Sequence, residues 1–428
     1  MQQTNFNQLL LEFLAASPTP FHAVEQMAAE LDRAGFERLD ERQRWQLKAG
    51  GRYQVIRNGS ALIAFTLPAE ADLAATGLRL IGAHTDSPCL KVQPLPERLK
   101  QGYFQLGVEV YGGALLNPWF DRDLSLAGRV SYAAPDGQLG QALVDFKNPV
   151  AVIPSLAIHL DREQNSNRSI NPHQHLPLLL SQPGIDGEKP DLRGLLKQQL
   201  QRDGVAVERV LDFELCCYDV QRPAMVGLDQ AFIASARLDN LLSCFVGLQC
   251  ILADQSGGAM LVCNDHEEVG SESTTGAQGQ FLESVIERLV PEVEERNRLI
   301  ANSQLISADN AHGVHPNFSD RHDANHGPLL NRGPVIKVNA NQRYATNSET
   351  SARLRQLAEQ EQVPLQVFSV RPDMGCGSTI GPLTASRLGI ETLDIGVPTF
   401  GMHSIRELAG RDDAYSLYRL LRRFQNRR

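Results

Sequence analysis

Two glutamates stand side by side in VCNDHEEVGSES, at Glu267 and Glu268, directly after an apolar run and a histidine. Adjacent side chains on a strand point to opposite faces, so such a pair is awkward unless the chain leaves the core there. Four further apolar runs end in residues of the same chemistry: LRLIGAHTDSP in His84-Thr85-Asp86, IASARLDN at Asp239, QLISADNAH at Asp309 and LDIGVPTFGMHS at His403. In open α/β sheets, sites gather just beyond the carboxyl ends of strands. Singly, each has a plainer explanation. A strand-end aspartate such as Asp239 is commonly the N-cap of the next helix, and a lone His84 or His403 reads as a satisfied core or rim histidine. Five together would crowd like charges at one sheet edge unless a cation neutralises them.

Imidazole with carboxylate suits Zn²⁺, with Mn²⁺ or Co²⁺ as alternatives, and no nearby cysteine points to a closed structural zinc. The donor count suits two ions. Asp239 can bridge them at a spacing of about 3.5 Å, each ion then taking one histidine and one further carboxylate from His84, His403, Glu268 and Asp309, with a position left for water. Glu267 is then left over, able to take a proton from the bridging water and pass it to a leaving amine. Asp86 could accept the other N–H of His84 and fix its tautomer. The pattern is not H-E-x-x-H: HEEVG supplies only His266, which reads as packing or as support behind the ligands. The stretch GCGSTIGP (375–382) is either an anion-binding turn before a helix or an ordinary turn.

The elements that must carry these residues are legible as patterns. Helices are expected over 4–16 and 20–34, and RYQVIRNGSALIAFTL as a hairpin turning at Asn58-Gly59. From Tyr103 to Leu211 short β-like pieces (YFQLGVEVYG, GRVSYAA, QALVDF, VAVIPSLAIHL) alternate with Gly, Pro and Asn, and 161–190 reads as a long loop. The helix DLRGLLKQQLQRDG and the strand RVLDFELCCYDV follow. After 230 strands and helices alternate, with AFIASARL among the strands and helices at 239–253, 279–299, 347–361, 378–388 and 405–424. Near-continuous apolar strands bridged by helices predict an α/β fold with a mostly parallel sheet covered by helices on both faces. The two ends of the chain, 1–95 and 230–428, are expected to form this domain, with a β-rich domain over 96–229 inserted between them.

At 428 residues the chain exceeds the size of about 250–300 residues at which single cores stop growing. Its 41 basic and 50 acidic residues give a net charge of −9 without long runs of one sign, which argues against nucleic-acid and membrane partners. Seven scattered cysteines without C-x-x-C pairs read as reduced thiols. The N-terminal stretch lacks a basic segment and reads as an amphipathic helix rather than a signal peptide, so a cytoplasmic location is expected.

Taken together, GAHTDSP, SARLDN, NDHEEVGS, ISADNAHGVHPN, GPVIKVNANQRYATN, GCGSTIGP and GMHSIRE resemble the aspartyl aminopeptidases, cocatalytic-metal enzymes that release N-terminal Asp or Glu from peptides. The resemblance covers essentially the whole chain, in the family's order. It implies two zinc ions per subunit on His84, Asp239 (bridging), Glu268, Asp309 and His403, attack by a metal-bridging hydroxide, and Glu267 as general base. It further implies that the inserted domain serves dimerisation and that subunits form a dodecamer built from dimers around a chamber that admits peptides. His159, in AIHLDR, falls where the resemblance places a histidine near the active site, as ligand or substrate contact, the competing reading being a surface histidine on a strand end. His173 and His175 are assigned no role. An acidic substrate side chain calls for a desolvated cation. Lys337 inside the apolar VIKVN is the first candidate; Arg343 and His312 are others, an ordinary ion pair or surface charge being the competing reading for all three. The same metal site would also serve a broader aminopeptidase or an N-acyl amino acid deacylase, and a non-catalytic scaffold is the third alternative.

Overall fold

Four apolar runs make the centre of one sheet. In the computed structural model, Ala259–Asn264, Arg79–His84, Gln304–Ala308 and Glu391–Gly396 lie side by side in that order and run parallel. The structure describes residues 1–70, 72–183 and 190–426. These strands are buried on both faces, and that is why their sequences are apolar runs rather than alternations. Successive side chains feed two cores. Ile81, Ala83, Leu261, Cys263 and Ile306 turn to one, and Leu80, Met260, Val262 and Leu305 to the other. Helices Gln3–Ala16, Pro20–Arg33, Leu238–Leu252 and Asp413–Gln425 pack into the first, where the Phe6 ring lies 5.1 Å from both Phe245 and Tyr418. Phe281–Leu289 and Val293–Asn302 cover the second.

Five more strands extend this sheet to nine: Ala61–Thr66, Arg52–Arg57 and Glu37–Leu39 on one side, Val335–Lys337 and Gln366–Phe368 on the other. The hairpin turns at Asn58 and Gly59, at φ 54° and 68°. A separate five-stranded sheet holds Ala224–Val226, Phe232–Ser235, Glu407–Gly410, Pro398–Phe400 and Ala311–His312. All of this forms one compact unit, Met1–Ser87, Pro223–Met402 and the chain from Glu407 onward.

Three expectations change here. The helix expected over 279–299 is two helices, because Pro291 disfavours the helical conformation at Val290, which stands at φ −135°, ψ 87° and ends the first. The helix expected over 405–424 begins as the strand Glu407–Gly410, whose pairing with Phe232–Ser235 overrides local propensity; helix starts only at Asp413. Phe232–Ser235 is accordingly antiparallel and outside the parallel sheet.

The second unit comprises Pro88–Arg222 and His403–Arg406. Its sheet is antiparallel, in the order Leu139–Asp145, Leu124–Ala133, Arg209–Asp219, Cys89–Lys100, Tyr103–Tyr111, Leu178–Ser181. Helix Leu192–Arg202 buries Leu192, Leu196 and Leu200 in this unit's core. Cys89–Lys100 is a strand despite Pro94 and Pro96, which fall at an irregularity between Val92 and Glu97. VAVIPSLAIHL is not a strand: it makes isolated bridges at Ala151 and Val152, then leaves Leu156, Ile158 and Leu160 exposed beyond Pro154. The expected loop contains the helical turn Pro172–His175 and the strand Leu178–Ser181; its positions 184–189 lie outside the described residues. Among the described residues no helix is long and apolar enough to cross a membrane.

Candidate metal centre

His84 closes its strand and is 1% exposed. Its Nδ1 lies 3.0 Å from the Asp86 carbonyl oxygen and 3.3 Å from Asp86 Oδ1. Its Nε2 faces three other carboxylates: Asp239 Oδ1 at 3.4 Å, Asp309 Oδ1 at 3.8 Å and Glu267 Oε2 at 3.9 Å. Donor atoms of His84, Asp239 and Asp309 lie within 4.8 Å of one another, as do those of His84, Glu267 and Glu268.

Each side chain arrives by a different local device. Asp309 leaves its strand across the neighbouring one, where a Cβ on Gly396 would fall on the Asp309 carbonyl oxygen; only glycine admits that crossing. Asp239 is not the helix cap anticipated by the plainer reading. The N-cap position is Arg237, at φ 60°, and Asp239 follows inside the first turn with a non-helical ψ of 104° and a cis peptide to Asn240. Its N–H donates to Glu407 Oε2 at 2.9 Å and its carbonyl accepts from Ser87 Oγ at 2.6 Å. Glu267 and Glu268 do not sit on the strand. They open the short 3₁₀ turn Glu267–Val269 after Asp265 and a left-handed His266. Asp86 accepts their two backbone N–H groups, one on each oxygen, at 3.1 Å.

Lys337, 2% exposed, places Nζ 3.2 Å from Asp309 Oδ2, donates to the Asn310 carbonyl at 3.1 Å, and lies 5.0 Å from the Tyr344 ring centre. His312 is exposed, its ring edge-on to Phe368 at 5.5 Å. Arg343 is exposed and donates to the Cys376 carbonyl. His159 lies in an exposed turn of the second unit. His403 also belongs to that unit's residues; its Nδ1 lies 3.2 Å from the Gly113 carbonyl oxygen, which directs the ring lone pair to Nε2. In GCGSTIGP, Thr379 caps helix Ile380–Leu388 and donates to Asp394.

The electrostatics match this crowding. Burial raises Glu267 to about 7, with Asp309, Asp239 and Asp86 adding to the shift and His84 opposing it. Burial and Asp239 likewise push Glu268 well above its ordinary value. Burial opposes protonation of His84, yet Asp239, Asp309 and Asp86 together hold it well above the usual imidazole range. In the metal-free cluster burial and mutual repulsion of the carboxylates thus favour the forms that hold protons. One imidazole ringed by carboxylates, with Lys337 touching a single one of them, fits a divalent cation that would displace those protons.

Glu407 and the backbone grip of Asp86 were missed from sequence. A charged residue inside the strand Glu407–Gly410 was the one available signal for the first; the second depends on a contact 181 residues apart.

A 60% identical relative over 424 residues, a probable M18 family aminopeptidase 2 of Azotobacter vinelandii, covers 99% of this chain and 98% of its own. Among solved structures, Ape4 in its complex with Nbr1 superposes with a TM-score of 0.95 at 37% identity, covering 99% of this chain and 86% of that one. The S. cerevisiae mApe1 dodecamer gives 0.84 at 29%, covering 97% and 95%. The family model described as aminopeptidase I zinc metalloprotease (M18) matches residues 13–425, and with the clustered imidazole and carboxylates it leads to one conclusion: this chain belongs to the M18 family of zinc aminopeptidases.

Proposed function

We propose that the protein releases N-terminal Asp, and then Glu, from peptides, using two zinc ions and Glu267 as general base. The observation that carries this reading is the meeting of His84, Asp239 and Asp309 with a buried Lys337 against Asp309. In this reading Asp239 would be shared by the ions, His84 and Asp309 would hold one, and Glu268 with His403 would hold the other. Bound zinc would supply Lewis acidity at the scissile carbonyl and at a water. Glu267 takes the proton released as that water adds to the carbonyl, then delivers it to the nitrogen as the C–N bond breaks. Asp86 orients His84 from behind.

Lys337 has three N–H donors, and Asp309 and Asn310 account for two. The third is assigned to the substrate's acidic side chain, with His312 and Arg343 as further contacts. The second unit is assigned to dimerisation and the assembly to a dodecamer like that of the mApe1 relative; exposed Leu156, Ile158 and Leu160 beside His159 support a subunit contact that brings His159 to substrate or metal. Absence of disulfides among the described cysteines accords with a cytoplasmic setting.

A broader aminopeptidase is the second reading, favoured by Lys337 already serving Asp309. Comparing Asp-, Glu- and Leu-amide hydrolysis by the zinc-loaded enzyme separates them. Equal rates for Asp and Leu would remove the acidic preference.

A further inference from the structure

His266 adopts φ 64° and ψ 23°, a left-handed conformation that glycine normally supplies. The turn closes on a glycine in the same region, Gly270 at φ 100°, where an added Cβ would meet nothing within 4 Å. At 266 a side chain is retained, and it is engaged. Its Nδ1 lies 2.8 Å from Ser273 Oγ and 3.3 Å from Thr275 Oγ1. Ser273 Oγ already accepts from the Gly276 N–H at 2.9 Å and the Thr275 N–H at 3.3 Å. Ser273 Oγ also lies 3.3 Å from Thr275 Oγ1; with the nearer His266 Nδ1 assigned as the acceptor of the serine hydrogen, the ring proton stands on Nε2, facing Asp265 Oδ2 at 3.5 Å. The His266 carbonyl also accepts from Ser271 N–H at 2.8 Å. The peptide leading into Glu267 is thus tied to the returning loop on one side, while Asp86 holds the Glu267 N–H on the other.

We infer that His266 is a positioning residue: its bracket to Ser273 fixes where the Glu267 carboxylate stands during proton transfer. The inference rests on Glu267 being the general base proposed above.

The test compares His266→Gly, His266→Asn, Ser273→Ala and Glu267→Gln in the full-length, zinc-loaded enzyme, with zinc content and unfolding midpoint measured alongside. Glycine keeps the backbone preference and removes the bracket, so kcat should fall about 10- to 100-fold while KM and zinc content hold. Asparagine tolerates the left-handed backbone and offers Oδ1 in place of Nδ1, so it should retain most of kcat. Ser273→Ala should reproduce the glycine loss, and the double variant should be no worse than either single one. Wild-type kcat in His266→Gly overturns the inference, as does equal impairment of the Gly and Asn variants. Zinc loss in step with kcat overturns it too, by placing the residue in metal retention. Near-normal turnover by Glu267→Gln refutes the general-base reading itself, independently of the His266 variants.

Discussion

Asp86 grips Glu267 by its backbone: Oδ1 accepts the Glu267 N–H at 3.1 Å and lies 3.3 Å from His84 Nδ1. One carboxylate therefore sets the distance between the imidazole and the glutamate pair. Asp86→Asn would turn an amide N–H₂ toward an existing donor. A loss of about 10- to 100-fold in kcat or zinc affinity is expected, read by steady-state kinetics and competitive zinc titration; an unchanged enzyme would refute the link.

Glu267→Gln should keep zinc and lose about 10²- to 10⁴-fold in kcat. Elemental analysis and turnover of an Asp-amide substrate report the two quantities on one sample.

The raised groups predict how stability varies with pH. Glu267 lies at about 7 against an ordinary 4.5, and Glu268 and His84 are shifted upward too. A folded state that holds its protons more tightly is stabilised fully below the unfolded pKa, and loses that contribution as pH rises through the folded pKa. The metal-free protein should therefore lose stability as pH climbs from about 4.5 through 7 and beyond. Zinc, replacing the protons, should flatten most of that slope. Asp413, raised by burial to about 7 while accepting the Asn331 and Gly333 N–H groups, should leave a remainder that zinc does not alter. Thermal unfolding with chelator and with zinc across this range checks the sign.

Lys337→Met distinguishes two uses of one ammonium. If it binds substrate, kcat/KM for Asp-amide should drop about 10- to 100-fold while Leu-amide is little affected. A parallel drop for both with loss of zinc would make it support for Asp309 alone.

Gly396→Ala should be costly far beyond one methyl group, because its Cβ meets the Asp309 backbone. About 1–3 kcal/mol of destabilisation is expected, measured by urea unfolding of the metal-free protein, together with weakened zinc binding.

The strands that end in His84, Asp309 and the Glu267-Glu268 pair were legible because burial on both faces forces unbroken apolar runs, and a polar residue then marks the exit. Asp239 was legible in composition but not in geometry, since no local pattern announces the left-handed Arg237 ahead of it. Glu407 and the grip of Asp86 are contacts between segments 168 and 181 residues apart. Residues 407–410 read as helix because propensity is local, whereas their strand partner is Phe232–Ser235. Pro94 and Pro96 hid Cys89–Lys100 for the same reason: the irregularity that accommodates them exists only once its partner strand is in place.

Ala259–Asn264, Arg79–His84 and Gln304–Ala308 are immediate neighbours in space, yet the residues at their ends span positions 84 to 309. In the proposed assignment, which also uses His403, a chain under synthesis carries an incomplete donor set until that histidine has been made, however well its earlier portions have folded. On that assignment metal capture would be a late event in the life of the polypeptide, and truncated products that stop short of His403 would lack one of the donors of the finished centre.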